Sequence, residues 1–153
     1  MTHAAVIGCG NPTRSDDGVG PYVVRTLARR GLAREPGIRL LDAGTDGMAV
    51  MYAAKGCRKL IVIDAVRSGS APGAVFEVPG QELDAIPPPP MTLHDFRWEH
   101  ALHAGRALYG AAFPADVTVL LVEAQSIAFG LDLSPAVAAA AGKVAERVES
   151  LLR

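Results

Sequence analysis

The chain has 153 residues, of which 50% are hydrophobic, and its 15 basic and 16 acidic side chains leave a formal net charge of -1. This length and apolar fraction predict a single domain, residues 1–153, with a sizeable core. The near-neutral charge argues against nucleic acid or an anionic membrane as a partner, and no apolar run approaches the length of a membrane span. Because the N-terminus lacks a basic segment followed by an apolar one, we expect a cytoplasmic protein.

The chain opens with a short apolar run, residues 4–7, that does not alternate and stops at Gly8. This pattern is typical of a strand that is buried on both faces of a parallel sheet. A glycine-rich loop then leads to two adjacent carboxylates, Asp16 and Asp17, and to an amphipathic helix that ends near Gly31. Carboxylates are favourable at a helix N-terminus, so capping explains one of the two. It does not explain both, because adjacent acids repel each other.

The plan of strand, loop and helix repeats once, with a short helix from Met48 to Ala54, and a third strand also ends at a carboxylate. A second strand, 38–41, ends at Asp42, and the clearest buried strand, 59–63, ends at Asp64. The carboxyl ends of parallel strands lie along one edge of a sheet, where open α/β sheets bind their ligands. We therefore expect these two carboxylates to converge with Asp17 at that edge.

After these repeats the sequence predicts an edge strand, an extended linker and a helix. Residues 74–78 are typical of a short strand that pairs antiparallel at an edge of the sheet, and the four prolines Pro87 to Pro90 require an extended segment. A helix is expected to start near Asp95 and to run to about Leu108, which places His94 at or just before its N-terminus.

The last third of the chain predicts one more strand and a C-terminal helix. Residues 117–122 form an apolar run, and Ser134-Pro135 is a favourable helix start, because a capping hydroxyl precedes a proline at the first helical position. Together the elements predict an α/β fold with three layers, αβα. A twisted, mainly parallel sheet of about five strands would carry helices on both faces.

Two classes of enzyme fit the first loop only in part. The segment Gly8-Cys9-Gly10 after a first strand is compatible with dinucleotide binding, but Thr13 stands where the third glycine belongs. Asp16 and Asp17 would also repel a pyrophosphate. A hydrolase with Cys9 as nucleophile lacks an evident histidine partner nearby in the sequence, and no Gly-x-Ser-x-Gly motif is present.

A metal site is the third interpretation. Asp17, Asp64 and His94 provide two oxygen ligands and one nitrogen ligand, a set that suits a divalent ion such as zinc, nickel or iron with coordination positions left open. His100 and His103 also have a spacing that permits metal binding, although the same spacing often arises by chance on a polar helix face.

The sequence GCGNPTRSDDGVG, from Gly8 to Gly20, resembles the N-terminal signature of the [NiFe]-hydrogenase maturation proteases. The resemblance continues through Leu41 to Met48, Ile61 to Ala65 and His94, and it covers essentially the whole chain. It implies a mainly parallel sheet with helices on both faces. It also implies an endopeptidase that removes a C-terminal peptide from the hydrogenase large-subunit precursor after nickel has been installed.

The resemblance further implies roles for single residues. Asp17, Asp64 and His94 match the three nickel-contacting positions, and Asp42 matches another acid of the family motif. The nickel is expected to arrive with the substrate rather than to be held permanently, because cysteine thiolates of the precursor are better soft ligands than this open site.

The peptidase is expected to be of aspartic type, with Asp17 or Asp42 as the general base that activates water. The alternative left open by the sequence is that nickel polarises the scissile carbonyl as a Lewis acid. Gly44 and Thr45, in the loop after the second strand, are the predicted substrate-binding residues. Two other functions remain open at this point: a nucleotide-binding α/β enzyme, and a non-catalytic chaperone of the hydrogenase large subunit.

Overall fold

The computed structural model describes residues 3–85 and 96–153. In this part of the chain, five strands form one sheet in the order β2-β1-β3-β5-β4. The strands are β1 (Ala4–Cys9), β2 (Ile38–Gly44), β3 (Lys59–Val66), β4 (Val75–Pro79) and β5 (Asp116–Glu123). All neighbours pair in parallel except β4, which pairs antiparallel with β5 at the edge. The predicted mainly parallel sheet and its edge strand are confirmed.

The described residues also form five α-helices. They are α1 (Val19–Arg29), α2 (Gly47–Ala54), α3 (Gly80–Asp84), α4 (Trp98–Tyr109) and α5 (Pro135–Leu151). Short 3-10 turns cover Ser15–Gly18, Leu32–Arg34 and Gly110–Ala112. None of these helices is long and apolar enough to cross a membrane.

Helix α4 begins later than the predicted start at Asp95. Its N-cap residue, Arg97, has an extended backbone, and the Arg97 N–H donates to Nδ1 of His100 at 3.0 Å. The backbone is thus extended at Arg97, and the helix begins at the next residue, Trp98. The predicted start Asp95, the prolines Pro87 to Pro90 and His94 lie outside the described residues.

The helices cover both faces of the sheet, as the αβα prediction requires. Alternate residues of a strand point to opposite faces. In β1, Ala5 and Ile7 are buried in a core with α2 and α4, whereas Val6 is buried in a second core with α1 and α5. The same division holds in β3, where Leu60 and Val62 face the first core and Ile61 and Ile63 the second. The sheet is therefore fully buried at its centre, which explains the continuous apolar runs of its strands.

Candidate active site

The strand order places a crevice at the carboxyl ends of β1 and β3. From β1 the chain moves outward to β2, and it then returns to place β3 on the other side of β1. At such a point the connections after the two neighbouring strands leave in opposite directions, which opens a binding crevice between them. The loop after β1 carries Asp17, and the end of β3 carries Asp64.

Close backbone packing brings the first loop onto this crevice. A Cβ atom on Gly20, in the first turn of α1, would lie 2.3 Å from the carbonyl oxygen of Cys9 and 2.6 Å from that of Ile63. Gly10 has a φ of +130°, and a Cβ atom there would lie 1.9 Å from the carbonyl oxygen of Asp17. Only glycine allows both approaches. The glycines of the signature therefore place Asp17 next to the strand ends.

The structure separates the two adjacent acids of the loop. The carboxylate of Asp16 is fully buried, and it accepts the backbone N–H groups of Gln125 at 2.8 Å, Ser126 at 3.2 Å and Ser134 at 2.7 Å. The Ser134 hydroxyl donates to it as well, at 2.9 Å. Burial raises the pKa of Asp16, but these hydrogen bonds outweigh that effect and hold the pKa below its usual value. Asp16 therefore binds the loop before α5 to the first loop.

Asp17, in contrast, lies at the crevice. Its side chain is half-buried, and Oδ2 accepts the backbone N–H of Asn11 at 2.8 Å. This bond also bears on the dinucleotide hypothesis, because it occupies an amide that a phosphate-binding loop would offer to the ligand. The amide of Gly10 is occupied too, since it donates to the carbonyl of Gly44 at 2.8 Å.

Asp64 is a buried carboxylate of the site, and its pKa is raised. Its side chain is buried, Oδ1 accepts its neighbour Ala65 N–H at 2.8 Å, and Oδ2 accepts the indole N–H of Trp98 at 2.9 Å. The pKa of Asp64 is raised to about 7, mainly by burial and also by the negative charge of Asp17, although the two hydrogen bonds and Arg97 act in the opposite direction. Such a group exchanges its proton near neutral pH.

Two clefts meet at these carboxylates. One runs along the loop before α2 and contains about 570 Å³ of empty space, and the other runs toward Arg67 and Ile127 and contains about 790 Å³. Four residues line both clefts and so form the wall between them: Asp17, Asp64, Arg97 and Trp98. The predicted substrate-binding residues Gly44 and Thr45 line the first cleft.

Asp42 occupies a different position from the other two predicted carboxylates. It is exposed at the end of β2, and its Oδ1 accepts the N–H of Gly44 at 2.9 Å in a local turn. The β1–β2 register shifts next to it, where Cys9 pairs with Gly44. Asp42 is not among the described residues that line the two clefts. Its predicted catalytic role stays a prediction.

Cys9 lines the first cleft, but its chemistry does not favour a nucleophile. Burial raises the pKa of the Cys9 thiol far above its usual value, and the nearby carboxylates of Asp64, Glu99 and Asp42 raise it further. The thiolate is the reactive form of cysteine, and here it is disfavoured. Cys57 is also buried and free of any disulfide.

The structure describes the contacts of His100 in α4, whereas it does not describe the predicted metal ligand His94. His100 is buried, accepts the Arg97 N–H and packs against Phe96 with ring centroids 5.8 Å apart. His100 therefore has a structural role at the helix start. His94 lies outside the described residues. Within residues 3–85 and 96–153, no group of three or more His, Cys, Asp or Glu side chains is arranged to hold a metal ion.

Arg97, Trp98 and Asp46 are among the cleft residues that were not predicted as site residues. Arg97 and Trp98 line both clefts, and Asp46 lines the first cleft, where it caps α2 by accepting the Met48 N–H at 2.9 Å. Asp46 has a sequence signal, because an acid followed by glycine before an apolar helix is a typical N-cap. Arg97 and Trp98 have a weaker signal, their position just after His94 at a helix start.

The fold and the site thus define an α/β protein with paired carboxylates at the crevice between two neighbouring strands, β1 and β3. The profile of the family described as hydrogenase maturation protease matches residues 21–151. The hydrogenase 2 maturation protease of Escherichia coli K12 is 28% identical over 149 residues, which are 97% of this chain and 89% of that protein. The hydrogenase expression/formation protein HupM of Azotobacter chroococcum is 31% identical over 153 residues, 93% of this chain and 71% of that protein.

Solved structures agree with the sequence comparisons. The hydrogenase maturating endopeptidase HybD from E. coli superimposes with a TM-score of 0.83 at 26% identity, over 99% of this chain and 93% of that one. The [NiFe] hydrogenase maturation protease HybD from Thermococcus kodakarensis has a TM-score of 0.78 at 25% identity and covers 99% of this chain. The chain belongs to the hydrogenase maturation protease family. The predicted family, the fold and the activity as a hydrogenase maturation endopeptidase are confirmed.

Proposed function

We propose that this protein removes the C-terminal peptide of a nickel-loaded [NiFe]-hydrogenase large-subunit precursor and so completes its maturation. The observation that carries the proposal is that Asp17 and Asp64 together line both clefts. In a chain of this family, a carboxylate pair in that position is suited to both substrate recognition and peptide hydrolysis.

The two clefts suggest the path of the substrate. An extended peptide that passes from one cleft to the other must cross the wall formed by Asp17, Asp64, Arg97 and Trp98. The scissile bond would lie at this crossing. The precursor on one side of the bond would then contact the loop with Gly44 and Thr45, or else the cleft toward Ile127.

Nickel enters this proposal as part of the substrate. The carboxylates of Asp17 and Asp64 and the imidazole of His94 are the proposed contacts, while the precursor's own thiolates keep the metal. Oxygen and imidazole donors suit nickel in positions that soft ligands leave open. Recognition of the metal would restrict cleavage to precursor in which nickel is already installed.

For hydrolysis, one carboxylate must take a proton from the attacking water. The water oxygen bonds to the scissile carbonyl carbon, the C–N bond then breaks, and the leaving amine receives the proton. Asp17 is better suited to this step than Asp42, because it lines both clefts, whereas the exposed Asp42 binds the N–H of Gly44 in its own turn. Asp17 is therefore the proposed general base of an aspartic-type peptidase.

The test is the intact mass of the nickel-loaded precursor after incubation with the protein. Wild-type protein should remove one discrete C-terminal peptide, and Asp17→Asn should lower the rate by about 100-fold or more, since a general base contributes on that order. Asp116→Asn is the matched control, because Asp116 is the first residue of β5 and so lies at the amino ends of the strands, away from the site. Stable binding without any loss of mass would contradict the peptidase proposal and favour a chaperone.

A further inference from the structure

Trp98 is the single tryptophan of the chain, and it belongs both to the core with α2 and α4 and to the lining of the site. It is the first residue of α4 and lines both clefts, yet only 7% of its surface is exposed. Its indole N–H donates to Oδ2 of Asp64 at 2.9 Å. A buried indole N–H requires a partner, and here the partner is a proposed substrate-contacting carboxylate.

The backbone on both sides holds the indole in place. The carbonyl of Phe96 accepts the N–H of Gly47 at 2.9 Å, and a Cβ atom on Gly47 would lie 2.4 Å from that carbonyl oxygen. On the helix side, His100 accepts the Arg97 N–H. The start of α4 is thus packed directly on the start of α2, and Trp98 has little freedom to move.

The orientation of the Asp64 carboxylate depends on this donor. The terminal torsion of an aspartate is broad, so hydrogen bonds rather than rotamer preference determine where its oxygens point. Among the described residues, the Ala65 N–H donates to Oδ1 and the Trp98 indole N–H donates to Oδ2, so each oxygen has one donor there. Each oxygen keeps a further acceptor position for a ligand in the clefts.

We propose that Trp98 is a positioning residue, which holds the Asp64 carboxylate in the orientation that recognises the nickel of the precursor. This inference rests on the proposed function. It assigns to Trp98 the part that outer partners of metal-binding carboxylates play in general, where their loss typically weakens metal affinity or activity by about 10–100-fold.

The single tryptophan allows an exact atomic test. A tryptophan-auxotrophic host that is fed β-(3-benzothienyl)alanine replaces only position 98, and it exchanges the indole N–H for sulfur while the ring size is retained. The dissociation constants are then measured for nickel-loaded and for nickel-free precursor. The preference for the nickel-loaded form should fall by about 10–100-fold, with binding of the nickel-free form unchanged. Trp98→Phe should give the same pattern.

A matched control and a double-mutant cycle complete the design. Tyr109→Phe removes a hydroxyl group, and with it a hydrogen-bond donor, from an aromatic ring at the other end of α4. It should leave the dissociation constants for both precursor forms unchanged. In an Asp64→Ala background, loss of the indole N–H should have no further effect on the nickel preference, because Trp98 acts through Asp64.

Each alternative outcome is distinguishable. An equal loss of affinity for both precursor forms would indicate a merely structural role and overturn the inference, as would an unchanged preference in the benzothienyl protein. If the wild-type protein itself binds both forms equally, the proposed recognition of nickel is wrong, and the inference fails with it.

Discussion

Ser134 donates both its backbone N–H, at 2.7 Å, and its hydroxyl, at 2.9 Å, to the carboxylate of Asp16. These residues are 118 positions apart, and the bonds connect the start of α5 to the loop that carries Asp17. The acid beside the proposed catalytic residue is therefore a structural element. Its contribution to stability is measurable separately from catalysis.

We expect Asp16→Asn to lower the free energy of unfolding by about 2–3 kcal/mol, because hydrogen bonds to a buried charge are worth about 1.5–3 kcal/mol each and one amide nitrogen replaces an acceptor. Urea denaturation followed by circular dichroism measures the change. Ser134→Ala is the comparison: it removes only the hydroxyl bond to the same charge and should cost about 1.5 kcal/mol, the lower end of that range. An Asp16→Asn variant as stable as wild type would contradict the structural role.

The close approach of α1 to the sheet gives a second prediction, at Gly20. A methyl group there would meet two backbone carbonyls, those of Cys9 and Ile63, and neither can move as a side-chain tip can. Gly20→Ala should therefore destabilise the protein by about 1–3 kcal/mol or prevent folding, the usual result of overpacking.

The comparison for Gly20 is Gly142, inside α5, where a Cβ atom would have no neighbour within 4 Å. Gly142→Ala should stabilise the protein by about 0.5–1 kcal/mol, since alanine is the better helix former. Thermal unfolding of the two variants should thus shift in opposite directions. Equal shifts would mean that α1 does not pack on β1 and β3 as closely as described.

Glu123 predicts part of the acid dependence of stability. It is buried at the end of β5 and accepts the Ser68 hydroxyl and the Ser68 N–H, the latter at 3.0 Å to Oε2. The Ser68 hydroxyl is the main cause that holds the pKa of Glu123 below its usual value, with burial acting in the opposite direction. Because the folded pKa is the lower one, this stabilisation is present above about pH 4.3, the usual pKa of glutamate, and is lost as the pH falls through the folded pKa.

Glu123→Gln should accordingly be less stable than wild type at pH 7, and the difference should shrink below about pH 4. Thermal unfolding measured between pH 3 and pH 7 checks this. Glu146→Gln, an exposed position on α5, should leave the pH profile unchanged. A constant difference across the whole range would show that Glu123 does not titrate with a lowered pKa.

Because both cysteines are buried, we expect their thiols to react more slowly in the folded protein than in the unfolded chain. Burial is the main cause that raises the pKa of both thiols, Cys9 and Cys57. Iodoacetamide reacts with the thiolate, so alkylation of the folded protein at pH 8 should be slower than that of the urea-unfolded chain by at least about 100-fold. Mass spectrometry of peptides measures each site. Rapid alkylation of Cys9 in the folded state would reopen the possibility of a cysteine nucleophile.

The sheet and the edge that carries the site were predictable because their signals are local. The apolar runs of β1, β3 and β5 report burial on both faces, and the acids that follow the first three strands mark the carboxyl edge. The start of α4 was placed too early, because the periodicity of apolar residues does not locate a helix cap. The cap of α4 is a hydrogen bond from the Arg97 N–H to the side chain of His100.

By itself, the sequence determined the αβα fold, the family and the loops from which the site is built, since these follow from hydrophobic periodicity and from a contiguous motif. Only the tertiary structure decided where each acid lies and which groups it contacts. Asp16 bonds to residues more than 100 positions away, Asp17 and Asp64 form the wall between two clefts, and Trp98 supplies a donor from another helix. The physical reason is that a strand or a helix follows from neighbours along the chain, whereas the partner of a buried polar atom is selected by whichever distant segment packs against it.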